Sequence, residues 1–207
     1  MGSFKFGGRR VAALASVVVV AVTGGTVAMT ANGASASAVS YHFNLAGQTN
    51  MNTATVGSAP LTGTIDAVMD LSTKAYTADL VLKPTTGKMT AMGIFAMDVA
   101  MSFQQVGKTT GTLSNGILIS HSKMYVQFDY FKIYGFYSLG GGPDCKTETP
   151  IDVTLQSAPD KFFNPLQGGA ITGTFTLPAL VNCGYVTGVI SSFAQGAGNT
   201  ISMNLTP

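Results

Sequence analysis

Apolar and polar residues alternate with period two through most of the chain beyond residue 40, and that pattern commits it to half-buried β-strands. Tyr41, Phe43, Leu45, Gly47 and Thr49 alternate with His42, Asn44, Ala46 and Gln48. Leu61, Gly63, Ile65, Ala67, Met69 and Leu71 alternate with Thr62, Thr64, Asp66, Val68 and Asp70. Tyr76, Ala78, Leu80 and Leu82 follow against Thr77, Asp79, Val81 and Lys83. Turn-forming residues separate these runs, first Ser72-Thr73-Lys74 and then Pro84-Thr85-Thr86-Gly87. Strands joined by such short breaks are expected to be antiparallel neighbours.

Residues 88–106 satisfy two periods at once. Met97, Ala100 and Met101 would share a helix face, whereas Phe95, Met97, Val99, Met101 and Phe103 alternate as in a strand. The flanking strands favour the second reading. Asn115-Gly116 then marks a tight hairpin. Two strands rich in aromatics are expected over 117–139, ended by Gly140-Gly141-Gly142-Pro143, and two more at 151–155 and 171–177. Val186, Val189, Ile190 and Phe193 carry the i, i+3, i+4, i+7 spacing of a short helix. Residues 200–206 close the chain as a strand with Ile201, Met203 and Leu205 facing inward. The expectation is one all-β domain over 39–207, an antiparallel sandwich or partly open barrel of about 9–10 strands with one short helix near the C-terminus.

The first 38 residues break the pattern. Lys5, Arg9 and Arg10 precede an uncharged apolar run over 11–22, followed by small residues ending in Ala34-Ser35-Ala36-Ser37-Ala38. This is the layout of a cleaved secretory signal peptide, with cleavage expected after Ala36 or Ala38. Thr23-Gly24-Gly25 interrupts the run short of the about 20 residues that a spanning helix needs. Neither cysteine lies near the cleavage point, which argues against a lipid anchor. A secreted or cell-envelope protein is expected.

All the arginine lies in that leader, so the remainder carries eight lysines against nine acids, a formal charge of −1. Scattered lysines give no footprint for nucleic acid, which needs clustered positive charge to neutralise phosphates. Cys145 and Cys183, in an exported chain, are expected to pair as a disulfide. Together with His42 and His121 they show no metal-ligand spacing, and no cofactor motif is present.

Catalytic signals are weak. No G-x-S-x-G elbow occurs, and only Ser120-His121-Ser122 hints at a nucleophile beside a base. Glu148 is the sole glutamate, so paired acids for glycoside hydrolysis are poorly supported. The aromatic block is the better candidate site. Taken at strict period two, Phe128, Tyr130, Tyr134 and Phe136 share one face, with Tyr125, Phe131, Ile133 and Tyr137 on the other. Such a strand is either covered on both sides or presents an apolar groove on one. The eight methionines beyond the leader suit a pliable apolar pocket and a plain core equally. The expected function is non-enzymatic: binding or self-association, with a small apolar ligand or an envelope protein as partner. A membrane-inserted β-barrel is the main alternative, and an unrecognised hydrolase the second.

The C-terminal half also carries a recurrent pattern: Gly111-Thr112-Leu113-x-Asn115-Gly116-x-Leu118, Cys145-x-Thr147-x-x-Pro150 and Gly168-Gly169-x-x-x-Gly173-Thr174. Pro178-Ala179-Leu180-x-x-Cys183-Gly184 and Gly196-x-Gly198-Asn199-Thr200-Ile201-x-x-x-Leu205-Thr206-Pro207 complete it. The chain thereby resembles a group of uncharacterised exported proteins of actinomycete bacteria. The resemblance implies export, a Cys145–Cys183 pair and a β-rich fold, and it implies no reaction.

Overall fold

A computed structural model describes residues 17–22, 25–30, 38–158 and 160–207. Strands β1 (Val17–Val22) and β2 (Gly25–Thr30) pair antiparallel as a sheet of their own. Both lie within the expected leader, whose basic residues and Ala36 fall outside the described residues.

The rest is a barrel. Its wall is built from β3 (Ala38–Asn52), β4 (Thr55–Asp70), β5 (Ala75–Leu82), β6 (Thr85–Ala91), β7 (Phe95–Gln105), β8 (Thr109–Ser114) and β9 (Ile117–Ile133). Short β10 (Tyr137–Gly140) and β11 (Lys146–Thr147) lead to β12 (Ile151–Ser157) and β13 (Gly169–Leu177). Then come β14 (Leu180–Val181), helix α1 (Thr187–Ala194) and β15 (Gly196–Thr206). Hydrogen bonds run in the order β12-β13-β15-β3-β4-β5-β8-β9, and pairing of β9 with β12 closes the ring. The all-β class and the barrel are as expected, but the barrel is closed where a partly open one was expected, and its ring has eight strand positions, not 9–10. Closure leaves no unpaired edge along that ring.

Two of those positions are each filled by a pair of strands. β5 and β6 lie end to end along β4: Gly63 pairs with Leu82 and Ser58 with Lys88, five steps on β4 against six on its partner. The break at Pro84-Thr85-Thr86-Gly87 is therefore not a reverse turn. It is a bulge in one long wall strand, because the chain can continue pairing with β4 after absorbing one extra residue. β7 and β8 lie along β9 in the same manner. Where β5 and β8 part, the side chain of Gln105 substitutes for missing backbone partners. Its amide oxygen accepts from the Leu80 N–H at 2.7 Å, and its amide nitrogen donates to the Ala78 carbonyl and the Thr109 hydroxyl, each at 3.2 Å.

Two inward-facing glycines allow the wall to bend. A Cβ on Gly47 would lie 2.1 Å from the Ser202 carbonyl oxygen, and one on Gly63 would lie 2.0 Å from that of Val81. No larger residue fits at either position, so neighbouring backbones approach there as curvature requires.

Residues 88–106 hold no helix: they run through the end of β6, a turn at 92–94 and β7, with Met97, Val99 and Met101 buried as the alternation indicates. Asn115 and Gly116 turn with φ of 54° and 76°, the left-handed pair of a tight hairpin. One barrel end is plugged by Phe163, whose ring meets Phe43 edge-on with centroids 5.9 Å apart. The other is capped by α1. Cys145 and Cys183 are disulfide-bonded and fully buried, tying the start of this cap to the wall beside β9. Such a bond forms in oxidising, non-cytoplasmic compartments.

Candidate functional site: an apolar chamber beneath the helix

The site begins with the inward faces of the wall. On β9, Ser122, Met124, Val126 and Phe128 point inward at every second position. Asp129 is then inserted, since Ala100 pairs with Tyr130 and Met101 with Phe128. This bulge reverses the parity, so Phe131 and Ile133 take over the inward side. On the neighbouring strand β7, Met97, Val99, Met101 and Phe103 turn inward beside them.

Together with inward side chains from the rest of the ring, among them Met51, Leu61, Val153 and Ile201, these faces of β7 and β9 enclose a cavity of about 240 Å³. Of its 31 lining residues only Thr49, Thr55 and Ser122 are polar, and none is charged. The hydroxyl of Thr49 donates to the Thr200 carbonyl at 3.2 Å, and that of Ser122 is bonded to the Thr109 hydroxyl at 2.7 Å. Six methionines line the chamber, among them Met89, Met97, Met101 and Met124. Their unbranched, polarizable side chains adapt to irregular apolar shapes.

Helix α1 closes the top. Ile190 and Ala194 are buried, while Val189 borders the chamber and is 54% exposed. Three attachments hold the helix: the disulfide at Cys183, the Leu180 N–H donating to the Ser191 hydroxyl at 2.9 Å, and the Thr53 hydroxyl donating to the Phe193 and Ala194 carbonyls at 3.0 and 3.3 Å. Val189 and Phe95, the latter 37% exposed, are the lining residues most open to solvent. They place the mouth between α1 and the β6–β7 turn.

The four residues expected to form a groove are not brought together on one face. Phe128 lines the chamber. Tyr130 is on the outside, with the Lys132 ammonium 4.4 Å from its ring centroid. Tyr134 and Phe136 stand exposed in the β9–β10 turn. The bulge at Asp129 is the reason, because period-two counting fails across an inserted residue. Sequence reasoning counted the methionines without locating them, and it found the helix without its role as a cap. Strand parity indicated which side chains turn inward. The opposite wall that they face depends on strands far apart in sequence.

The candidate hydrolase set is dispersed. Ser120 and Ser122 are buried on the inward side, whereas His121, between them, is on the outer wall with Nδ1 3.0 Å from the Thr154 hydroxyl. His42 is also outside, its Nδ1 2.6 Å from a carboxylate oxygen of Asp66. Near the Phe163 end a second cavity, of about 40 Å³, is bordered by Tyr76. Burial pushes the Tyr76 phenol up. Among the described residues no helix is long and apolar enough to cross a membrane. The chain matches no known family, no curated protein and no solved structure.

Proposed function

We propose that this is an exported, non-enzymatic protein that holds a small apolar molecule inside its barrel. The carrying observation is the chamber itself, 31 lining residues with three hydroxyls and no charge. Unfilled apolar space is expensive. At about 24 cal/mol per Å³, a volume of 240 Å³ costs about 6 kcal/mol, comparable to the whole stability of many domains. An occupant of hydrocarbon character offsets that cost, and a charged one would be left without partners.

The outward face supports this reading over a membrane-inserted barrel. Asn44 and Gln48 on β3, Asp152 and Gln156 on β12, and Thr172, Thr174 and Thr176 on β13 are exposed. A membrane barrel carries an apolar band outside and polar residues within, the reverse of this distribution. Export to the cell envelope or medium, and kinship with the actinomycete group, belong to the same proposal. Their support is the leader pattern, the buried disulfide and the spacing from Gly111 onward.

Titration of the purified protein with the neutral probe N-phenyl-1-naphthylamine tests the proposal. A saturable, one-to-one fluorescence response is expected. Val99→Phe, which fills the chamber from β7, should weaken it about tenfold or more. No saturable response from folded wild-type protein would refute the reading.

A further inference from the structure

We infer that the rim around the chamber mouth docks on the surface of a lipid bilayer with neutral headgroups, so that an apolar ligand passes between barrel and membrane without entering bulk water. The inference rests on the ligand-binding reading of the chamber. It adds a surface and a partner.

Two adjoining hairpin tips form the rim. The β6–β7 tip carries Met92 and Ile94, and the β9–β10 tip carries Tyr134, Phe136 and Tyr137. They abut directly: the Tyr134 N–H donates to the Ala96 carbonyl at 2.8 Å, and Ile133 pairs with Met97. These five side chains are 56–67% exposed, and no charged residue occurs within 91–97 or 133–143. Contiguous exposed apolar side chains of this kind mark an interaction surface. Phe95 and Val189 connect the tips to the chamber, since both border it and both reach solvent.

The turns show that these side chains are not incidental. Met92-Gly93 and Tyr134-Gly135 adopt φ of 53° and 73°, and of 51° and 82°, nearly the angles of Asn115-Gly116. Asparagine tolerates the left-handed region, whereas Met and Tyr occupy it only at a cost. The chain thus uses the favoured residue at the β8–β9 turn. At both turns beside the mouth it accepts strain and holds a large apolar side chain toward solvent.

A bilayer fits this surface better than a protein partner. Protein interfaces use charged groups to steer encounter and fix register, and the tips carry none. Tyrosine and phenylalanine at the edge of an apolar patch suit the headgroup boundary, where a ring is buried and a hydroxyl stays wet. The nearest charges in the flanking strands sum to only +1: Asp98 is ion-paired with Lys88 at 2.6 Å and lies opposite Lys132 in register. With one net charge beside an uncharged apolar rim, attachment requires neither anionic lipid nor low salt.

The test is flotation of the purified full chain with phosphatidylcholine vesicles at low and high salt, beside the double variant Ile94→Ser/Phe136→Ser. Wild-type protein should float equally at both salt concentrations. The variant should lose about tenfold or more of its partitioning while still binding N-phenyl-1-naphthylamine, which shows that its barrel is intact. Absence of wild-type flotation overturns the inference. So does flotation that needs anionic lipid, an unaffected variant, or a dimer through these tips that vesicles do not dissociate. Probe binding without flotation sinks the rim inference and leaves the ligand reading standing. Flotation without probe binding sinks the ligand reading and the ligand transfer built on it, and leaves only the docking of the rim.

Discussion

Phe128 and Phe131 lie on one strand three positions apart, yet both point into the barrel with ring centroids 5.1 Å apart in a near-parallel stack. Regular alternation would put them on opposite faces. Asp129 makes the difference: as the inserted residue opposite the Ala100–Met101 step of β7, it re-aims everything after it. A bulge of this kind bends the strand as well as switching its parity, and both effects serve a closed wall. The chamber therefore receives two stacked phenylalanines, and the aromatic residues beyond the bulge are delivered to the rim.

Substitution on either side of the bulge checks this arrangement. Phe131→Ala should lower unfolding free energy by about 3 kcal/mol, the cost of deleting a buried aromatic ring. Tyr130→Ala should cost under about 1 kcal/mol, since it removes a half-exposed ring and its contact with Lys132. Urea titration followed by circular dichroism separates the two. Equal losses would show that Tyr130 shares the interior.

The disulfide acts over a long loop. Cys145 and Cys183 are 38 residues apart in sequence, and α1 begins shortly after the second. Closing a loop of that length contributes about 4 kcal/mol by the chain-entropy estimate. Replacing both cysteines by alanine should therefore shift the urea midpoint strongly downward. It should also raise hydrogen exchange in 187–194 more than in β3 or β4, because Thr53 and Ser191 alone would then hold the cap. A uniform rise would contradict that role.

Tyr76 sets an alkaline limit. Burial raises its phenol above the ordinary value of 10.0, so the folded state keeps this proton at pH values where the unfolded chain has released it. The stability involved is fully present below about pH 10 and is lost as pH rises through the raised value. Tyr76→Phe should flatten that loss. At neutral pH it should cost about 1 kcal/mol for the hydrogen bond from the hydroxyl to the Ile119 carbonyl. Stability measured between pH 8 and 11 in both proteins decides the matter, and parallel curves would exclude Tyr76 as the group responsible.

Much of this protein was legible in its sequence, and the legible part is local. The alternation in 41–49 and 61–71, the Asn115-Gly116 hairpin and the spacing of Val186, Val189, Ile190 and Phe193 each depend on neighbours within one turn or strand. Short-range sterics and turn chemistry settle them without reference to the rest of the chain. The pairing of Cys145 with Cys183 followed from there being only two cysteines. The tertiary structure alone decided what depends on distant partners. Residue 49 pairs with residue 201, and the ring closes between β9 and β12. Only continued pairing with β4 makes Pro84 to Gly87 a bulge instead of a turn, and only the register of β7 against β9 inserts Asp129. The chamber exists because inward faces from opposite walls meet around a common axis. No single strand encodes that meeting, since each supplies only a parity, and the space between walls is set by how many strands close the ring and where they bend.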